Sequence, residues 1–151
     1  MVIELVTNRA PAPVIAAHLL VCDRDFVPQL SERVEITDYA GKITDKAQRF
    51  EAWHEGELAG LVAAYCSDTS GGVAFISSVS VDPRWRGRKI ARQLLETCIA
   101  HVRNLGFETV ELEVGILNRN AVSLYQGLGF LAVDTKDASC RMCLTIKGME
   151  S

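Results

Sequence analysis

The sequence predicts an α/β (α+β) fold: a mixed, mostly antiparallel central sheet of about six to seven strands with helices on both faces. Three observations carry that prediction. Runs of β-branched, aromatic and small apolar residues follow one another at 48–54, 58–67 and 73–81 with only turn residues between them, which is a meander. Ile90, Leu94, Cys98 and Val102 then recur every four residues, with Ala91, Leu95 and Ile99 beside them, so a long helix follows. After it, "TVELEVGI" at 109–116 alternates strictly, which makes the helix a crossover between strands.

The remaining elements follow in order. "IELVT" reads as a short first strand, and "PAPVIAAHLLVCDR" as a helix whose prolines fall near its start, where they are tolerated. "DFVPQLSERVEI" is irregular and charged. "TDYAGKITDKA" is a second helix with Thr37 as its expected N-cap. "EGE" is a tight hairpin between the first two meander strands, and "DTSGG" is the turn before the third. Gly106 ends the long helix. In 109–116, Val110, Leu112, Val114 and Ile116 share one face and Glu111 and Glu113 the other, on a strand expected to be largely buried. "RNAVSLYQGLG" is a short helix stopping at Gly129, and two strands, 130–135 and 139–147, close the chain.

The 151 residues, 48% hydrophobic and 23% charged, suit one domain over 1–151 with a core of its own. A net charge of −3 carries no basic footprint for nucleic acid. No run approaches eighteen apolar residues, so no membrane span is expected. The first ten residues lack a secretory leader pattern, and five cysteines are an odd number, so a cytoplasmic, reducing location is expected. Cys140 and Cys143 form a C-x-x-C, but on a strand they face opposite sides, so no metal or redox site is expected. Cys22, Cys66 and Cys98 read as small core residues. His54 and His101 read as exposed, without partners for a triad.

Four cations, Arg84, Arg86, Arg88 and Lys89, crowd the start of the long helix, where the macrodipole is positive. They become favourable if the outward N–H groups of the first turn bind a polyanion. The Walker pattern and the dinucleotide glycine fingerprint are both absent.

Arg86-Gly87-Arg88-Lys89-Ile90-Ala91 resembles instead the [Q/R]-x-x-G-x-[G/A] acyl-CoA loop of the GNAT acyltransferase superfamily, with Lys89 where that family has glycine. "ISSVSVDPRWRG" before it and "LEVGILNRNAVSLYQGLGF" after it are similar to the family's neighbouring motifs, so the likeness covers about residues 50 to 146. The resemblance implies a GNAT-like fold and an N-acetyltransferase using acetyl-CoA as co-substrate, with no metal. The backbone of Val79, Ser80 and Val81 would flank the pantetheine and polarise the acetyl carbonyl. Amides from Gly87, Arg88, Lys89, Ile90, Ala91 and Arg92 would cradle the pyrophosphate with Arg86, and Asn118 would steady the cofactor. Tyr125 would protonate the leaving thiolate. Glu113, twelve residues earlier, would be the base, with Glu111 or water in its place as alternatives. Arg33, Glu35, Asp38 and Tyr39 fall in the stretch expected to meet an amine acceptor: an amino sugar, a peptide N-terminus or a small amine. A homodimer is compatible with this reading. Two rivals remain open: a non-catalytic acyl-CoA-binding or regulatory module, for which Lys89 argues, and a nucleotide-binding module.

Overall fold

A computed structural model of the chain describes residues 2–26, 28–66 and 72–146. The element order is β1 (Glu4–Thr7), α1 (Ala12–Cys22), α2 (Ile36–Lys46), β2 (Gln48–His54), β3 (Glu57–Tyr65), β4 (Val73–Val81), α3 (Ile90–Asn104), β5 (Thr109–Gly115), α4 (Arg119–Gly127), β6 (Leu131–Lys136) and β7 (Ser139–Thr145). One sheet of seven strands runs β1-β2-β3-β4-β5-β7-β6. All its pairs are antiparallel except β4–β5, which α3 joins as a crossover. The mixed, mostly antiparallel sheet is therefore as predicted. Residues 68–71 of the "DTSGG" turn and Lys147 of the last strand lie outside the described residues.

Strand alternation, broken once in β3 where its register with β2 shifts at Ala59, sorts the core into two apolar layers. Along β3, Ala59, Val62 and Ala64 face a layer with Leu94, Leu95, Cys98 and Val102 of α3. Leu58, Leu61 and Ala63 face the other, with Ile15 and Leu19 of α1 and Ile36 and Ile43 of α2. Gly60 lets α3 approach: a Cβ there would lie 2.7 Å from Ile90 Cγ2. The β2–β3 hairpin turns on Glu55 and Gly56, both at positive φ, as a two-residue loop with right-twisted strands requires.

Several expectations are corrected. Helix α2 begins at Ile36, and its cap is Glu35, whose carboxylate accepts from Thr37 N at 2.8 Å; Thr37 is not the cap. Strand β5 stops at Gly115, leaving Ile116 44% exposed. Glu113 is exposed and Glu111 half-buried, because no residue of β5, β6 or β7 enters the second layer; α1 and α2 end their cover at β4. His54 is not free. Its Nδ1 lies 2.9 Å from Val2 O, and its ring packs on Trp85 with centroids 4.5 Å apart. His101 is half-buried, edge-on to Phe50. No helix among the described residues is long and apolar enough to cross a membrane.

A buried ion pair ties the α1–α2 layer to the sheet. The Glu51 carboxylate is fully buried and accepts from Arg9 N and Ala10 N at 3.1 Å, and from Trp53 Nε1 at 2.9 Å. Arg49 donates to it at 3.3 Å, to Thr44 O at 2.9 Å and to Ala10 O at 3.2 Å. One carboxylate thus holds the chain entering α1, and its partner holds the last turn of α2. Glu51→Ala would leave the buried guanidinium without its counter-charge and three N–H groups without their acceptor. The expected loss of stability is about 3 kcal/mol or more, read by urea unfolding.

Candidate active site

Parallel pairing of β4 with β5 runs from Val73↔Thr109 to Ile76↔Leu112 and goes no further. A bulge in the β3–β4 register follows at once: Ala64 pairs with Ile76 and Ala63 with Ser78, so Ser77 is the extra residue. Tyr39 Oη donates to Ser77 O at 2.9 Å and pins the bulge from α2. Beyond it, residues 78–81 remain paired with β3 on one side but have left β5 on the other. A cleft of about 610 Å³ fills the gap.

Its wall brings together many of the residues singled out above. Val79, Ser80 and Val81 line it from β4, and Glu113 from β5. Arg86 and Ala91 line one end, and Asn118 and Tyr125 come from α4. Of the proposed acceptor residues, Arg33 lines the cleft; Glu35 caps α2, and Tyr39 is spent on the bulge. Ser77, Ser78, Cys22 and Asp25 also line it, though sequence reasoning gave them no part in the site.

The loop into α3 explains how cations sit there. Gly87 has φ 76° and Lys89, the residue before the first helical turn, φ 60°, while Arg88 between them keeps a negative φ. Alternating signs turn successive N–H groups toward one concavity, an anion-binding arrangement. Arg84 is neutralised by Asp82 at 2.8 Å and Glu57 at 3.1 Å. Its hydrogen bonds hold the Asp82 carboxyl below the usual range. Arg86 pairs with Asp25, closing a link between the α1–α2 connection and the α3 loop. Arg88 stacks over Trp85 at 5.2 Å, and Arg92 reaches Glu96 one turn on at 3.8 Å. Three of the four clustered cations thus have partners inside the chain.

Tyr125 packs edge-on to Phe130 with centroids 5.9 Å apart, and burial pushes its phenol well above the ordinary value, so it stays protonated. Asn118 caps α4, its Oδ1 accepting from Ala121 N at 3.3 Å. Glu111 is held by Arg141 at 2.9 Å, while Glu113 lines the cleft. Behind β4 lies His18, 5% exposed, with Nε2 2.9 Å from Ser80 Oγ and Nδ1 3.2 Å from Leu58 O. Cys22 Sγ is 3.6 Å from the same Nε2, and burial pushes its thiol up to about 12. The only sequence trace of this cluster is the helical i, i+4 spacing of His18 and Cys22; Ser80 joins it from 62 residues away.

The acetyltransferase (GNAT) family model matches residues 15–130. An uncharacterized N-acetyltransferase of Methanocaldococcus jannaschii is 38% identical over 79 residues, 50% of this chain and 35% of that protein. A mycothiol acetyltransferase of Thermobispora bispora is 37% identical over 90 residues, 57% of this chain and 30% of that protein. The chain spans about a third of the length of these relatives. The crystal structure of PH1933 from Pyrococcus horikoshii OT3 superposes with a TM-score of 0.76 at 25% identity, over 95% of this chain and 98% of that one.

Two measurements check this geometry. A left-handed non-glycine residue costs about 1–2 kcal/mol, so Lys89→Gly should raise stability by roughly 0.5–1 kcal/mol in urea unfolding, after the entropy glycine adds to the unfolded chain. Burial lowers the His18 pKa below that of the unfolded chain. As pH falls below about 6.5 the unfolded state takes up the proton first, so this contribution is complete above that pH and lost below it. Stability should therefore drop between pH 7 and 5.5, and the drop should shrink in His18→Phe.

Proposed function

The chain belongs to the acetyltransferase (GNAT) family, and on that footing we propose that it moves an acetyl group from acetyl-CoA to a primary amine by direct attack. The observation that carries this reading is the cleft between the parted strands, with a loop built for anions at one end and Tyr125 and Glu113 along its length. The pyrophosphate takes the N–H groups from Gly87 to Arg92, with Arg86 and the ammonium of Lys89 beside it. The pantetheine lies along Val79, Ser80 and Val81, whose edge has no strand partner on the β5 side. Asn118 steadies the cofactor from the start of α4.

The chemistry balances with two groups. The amine lone pair attacks the thioester carbon, the C–N bond forms and the C–S bond breaks. Glu113 takes the proton that the nitrogen sheds, and Tyr125 supplies one to the departing thiolate. Glu113 is preferred to Glu111 because Arg141 already occupies Glu111. Tyr125 suits a donor, since burial favours its protonated form, the form that carries the proton to be given. The acceptor, an amino sugar, a peptide N-terminus or a small amine, enters past Phe26, Pro28 and Arg33, which line the cleft. Five free thiols fit the cytoplasmic location proposed for it.

Calorimetry with acetyl-CoA, followed by thiol release with glucosamine, an alanine-initiated peptide and putrescine, tests the reading. Binding with turnover of one of these amines supports it. Binding without turnover of any would favour the non-catalytic module, and no binding would remove the cofactor assignment itself. Tyr125→Phe should lower kcat about tenfold to a thousandfold while leaving acetyl-CoA affinity unchanged. Glu113→Gln should lose most rate near neutral pH and recover at high pH, where free amine accumulates. If Glu111→Gln is crippled while Glu113→Gln keeps its full pH profile, the base is the other carboxylate.

A further inference from the structure

We infer that the Ser80 hydroxyl, oriented by the buried His18 behind it, is the hydrogen-bond acceptor that holds the acceptor amine on the β4 side of the cleft. This rests on the acetyltransferase reading and adds a substrate contact to it. The proton positions follow from partner chemistry. His18 Nδ1 faces the carbonyl oxygen of Leu58 at 3.2 Å, and a carbonyl only accepts, so Nδ1 carries the ring proton. Nε2 of the neutral ring is then a bare lone pair. Ser80 Oγ, 2.9 Å from it, must donate.

A serine hydroxyl ordinarily rotates to donate or accept as its surroundings ask. Here its one proton is committed inward, and only lone pairs remain for the cleft that Ser80 lines. An oxygen that solely accepts matches an amine N–H. It does not match a thioester carbonyl or a phosphate, which both need donors. Ser80 therefore selects for the nucleophile and against misplaced cofactor. In the attack it holds one N–H while Glu113 takes the proton that is lost. His18 touches no substrate and is a positioning residue acting through Ser80.

A second observation points the same way. Ser78, two residues earlier on β4, is 4% exposed and lines the same cleft, yet its hydroxyl has no hydrogen-bond partner. Buried hydroxyls rarely stay unpaired. This stretch of β4 thus presents a fixed acceptor and an unused hydroxyl, as a wall meeting a polar ligand would. Ser80→Ala should still fold, since Cys22 Sγ at 3.6 Å offers a second donor to His18 Nε2.

Two experiments decide it. Long-range proton–nitrogen NMR of the full chain reports the His18 tautomer. The Nδ1–H form is expected, with the Nε2 resonance moving in Ser80→Ala; an Nε2–H ring would make Ser80 a donor to the cleft and overturn the proposal. Steady-state kinetics with whichever panel amine the wild type acetylates supplies the second. Ser80→Ala should raise the amine KM about tenfold, the loss of one hydrogen bond, with acetyl-CoA KM unmoved. Ser80→Thr should restore it, and His18→Phe should resemble Ser80→Ala although the hydroxyl is still present. An amine KM unchanged in Ser80→Ala sinks this proposal and leaves the acetyltransferase reading intact. A wild type that binds acetyl-CoA but acetylates no amine sinks both.

Discussion

Strands β4 and β5 lie side by side only from Val73↔Thr109 to Ile76↔Leu112, and then they part. Each parallel pair costs a long crossover to form, and here α3 supplies it. Had pairing continued, residues 77–81 would have spent their second edge on β5 and the sheet would be closed. Instead the bulge at Ser77 turns β4 away, with Tyr39 anchoring it from the far layer. A free strand edge and a cavity both follow from that one departure. The Glu51–Arg49 pair acts further back, fixing α1 and α2 against β2 so that Tyr39 arrives where the bulge needs it.

The two faces of the sheet are covered unequally. Helices α3 and α4 pack on one face as far as β7, whose Cys140, Met142 and Leu144 join that layer. On the other face α1 and α2 stop at β4, and the face of β5 carrying Glu111 and Glu113 lies beyond their edge. The cleft forms where that cover ends. A carboxylate on β5 therefore needs no buried partner to line the cleft, whereas His18 on α1 and Ser80 beneath that helix are buried and call for hydrogen-bond partners. The cleft thus has a wet carboxylate on one side and a pre-oriented hydroxyl on the other.

The cations at the start of α3 lose much of their apparent conflict with the helix dipole. Arg84, Arg86 and Arg88 are absorbed by Asp82 and Glu57, by Asp25, and by the Trp85 ring. What stays at the helix mouth is Lys89 and the backbone itself. Its left-handed φ is the geometry for which a glycine is the ordinary choice, and a lysine accepts the strain while adding charge beside the N–H concavity.

Local patterns were enough for the element order, the mixed sheet, the long helix and the loop before it, because side-chain periodicity and turn chemistry act over a few neighbouring residues. Tyr125 and Glu113, which line one cleft, lie in one continuous stretch of chain, so the spacing of that stretch could single them out for the same reason. Periodicity also gave Glu111 and Glu113 their shared face correctly, but not its exposure, which depends on how far α1 and α2 reach. The cap of α2 was misassigned to Thr37 because Glu35 is equally able to accept a backbone N–H, and only the bend of the chain chooses between them. Ser80, His18 and Leu58 carry no joint pattern in one dimension; 40 residues separate His18 from Leu58 and 62 separate it from Ser80. Their meeting, the Asp25–Arg86 closure and the parting of β4 from β5 are products of packing two layers on one sheet, and contacts of that range exist only once the chain has folded.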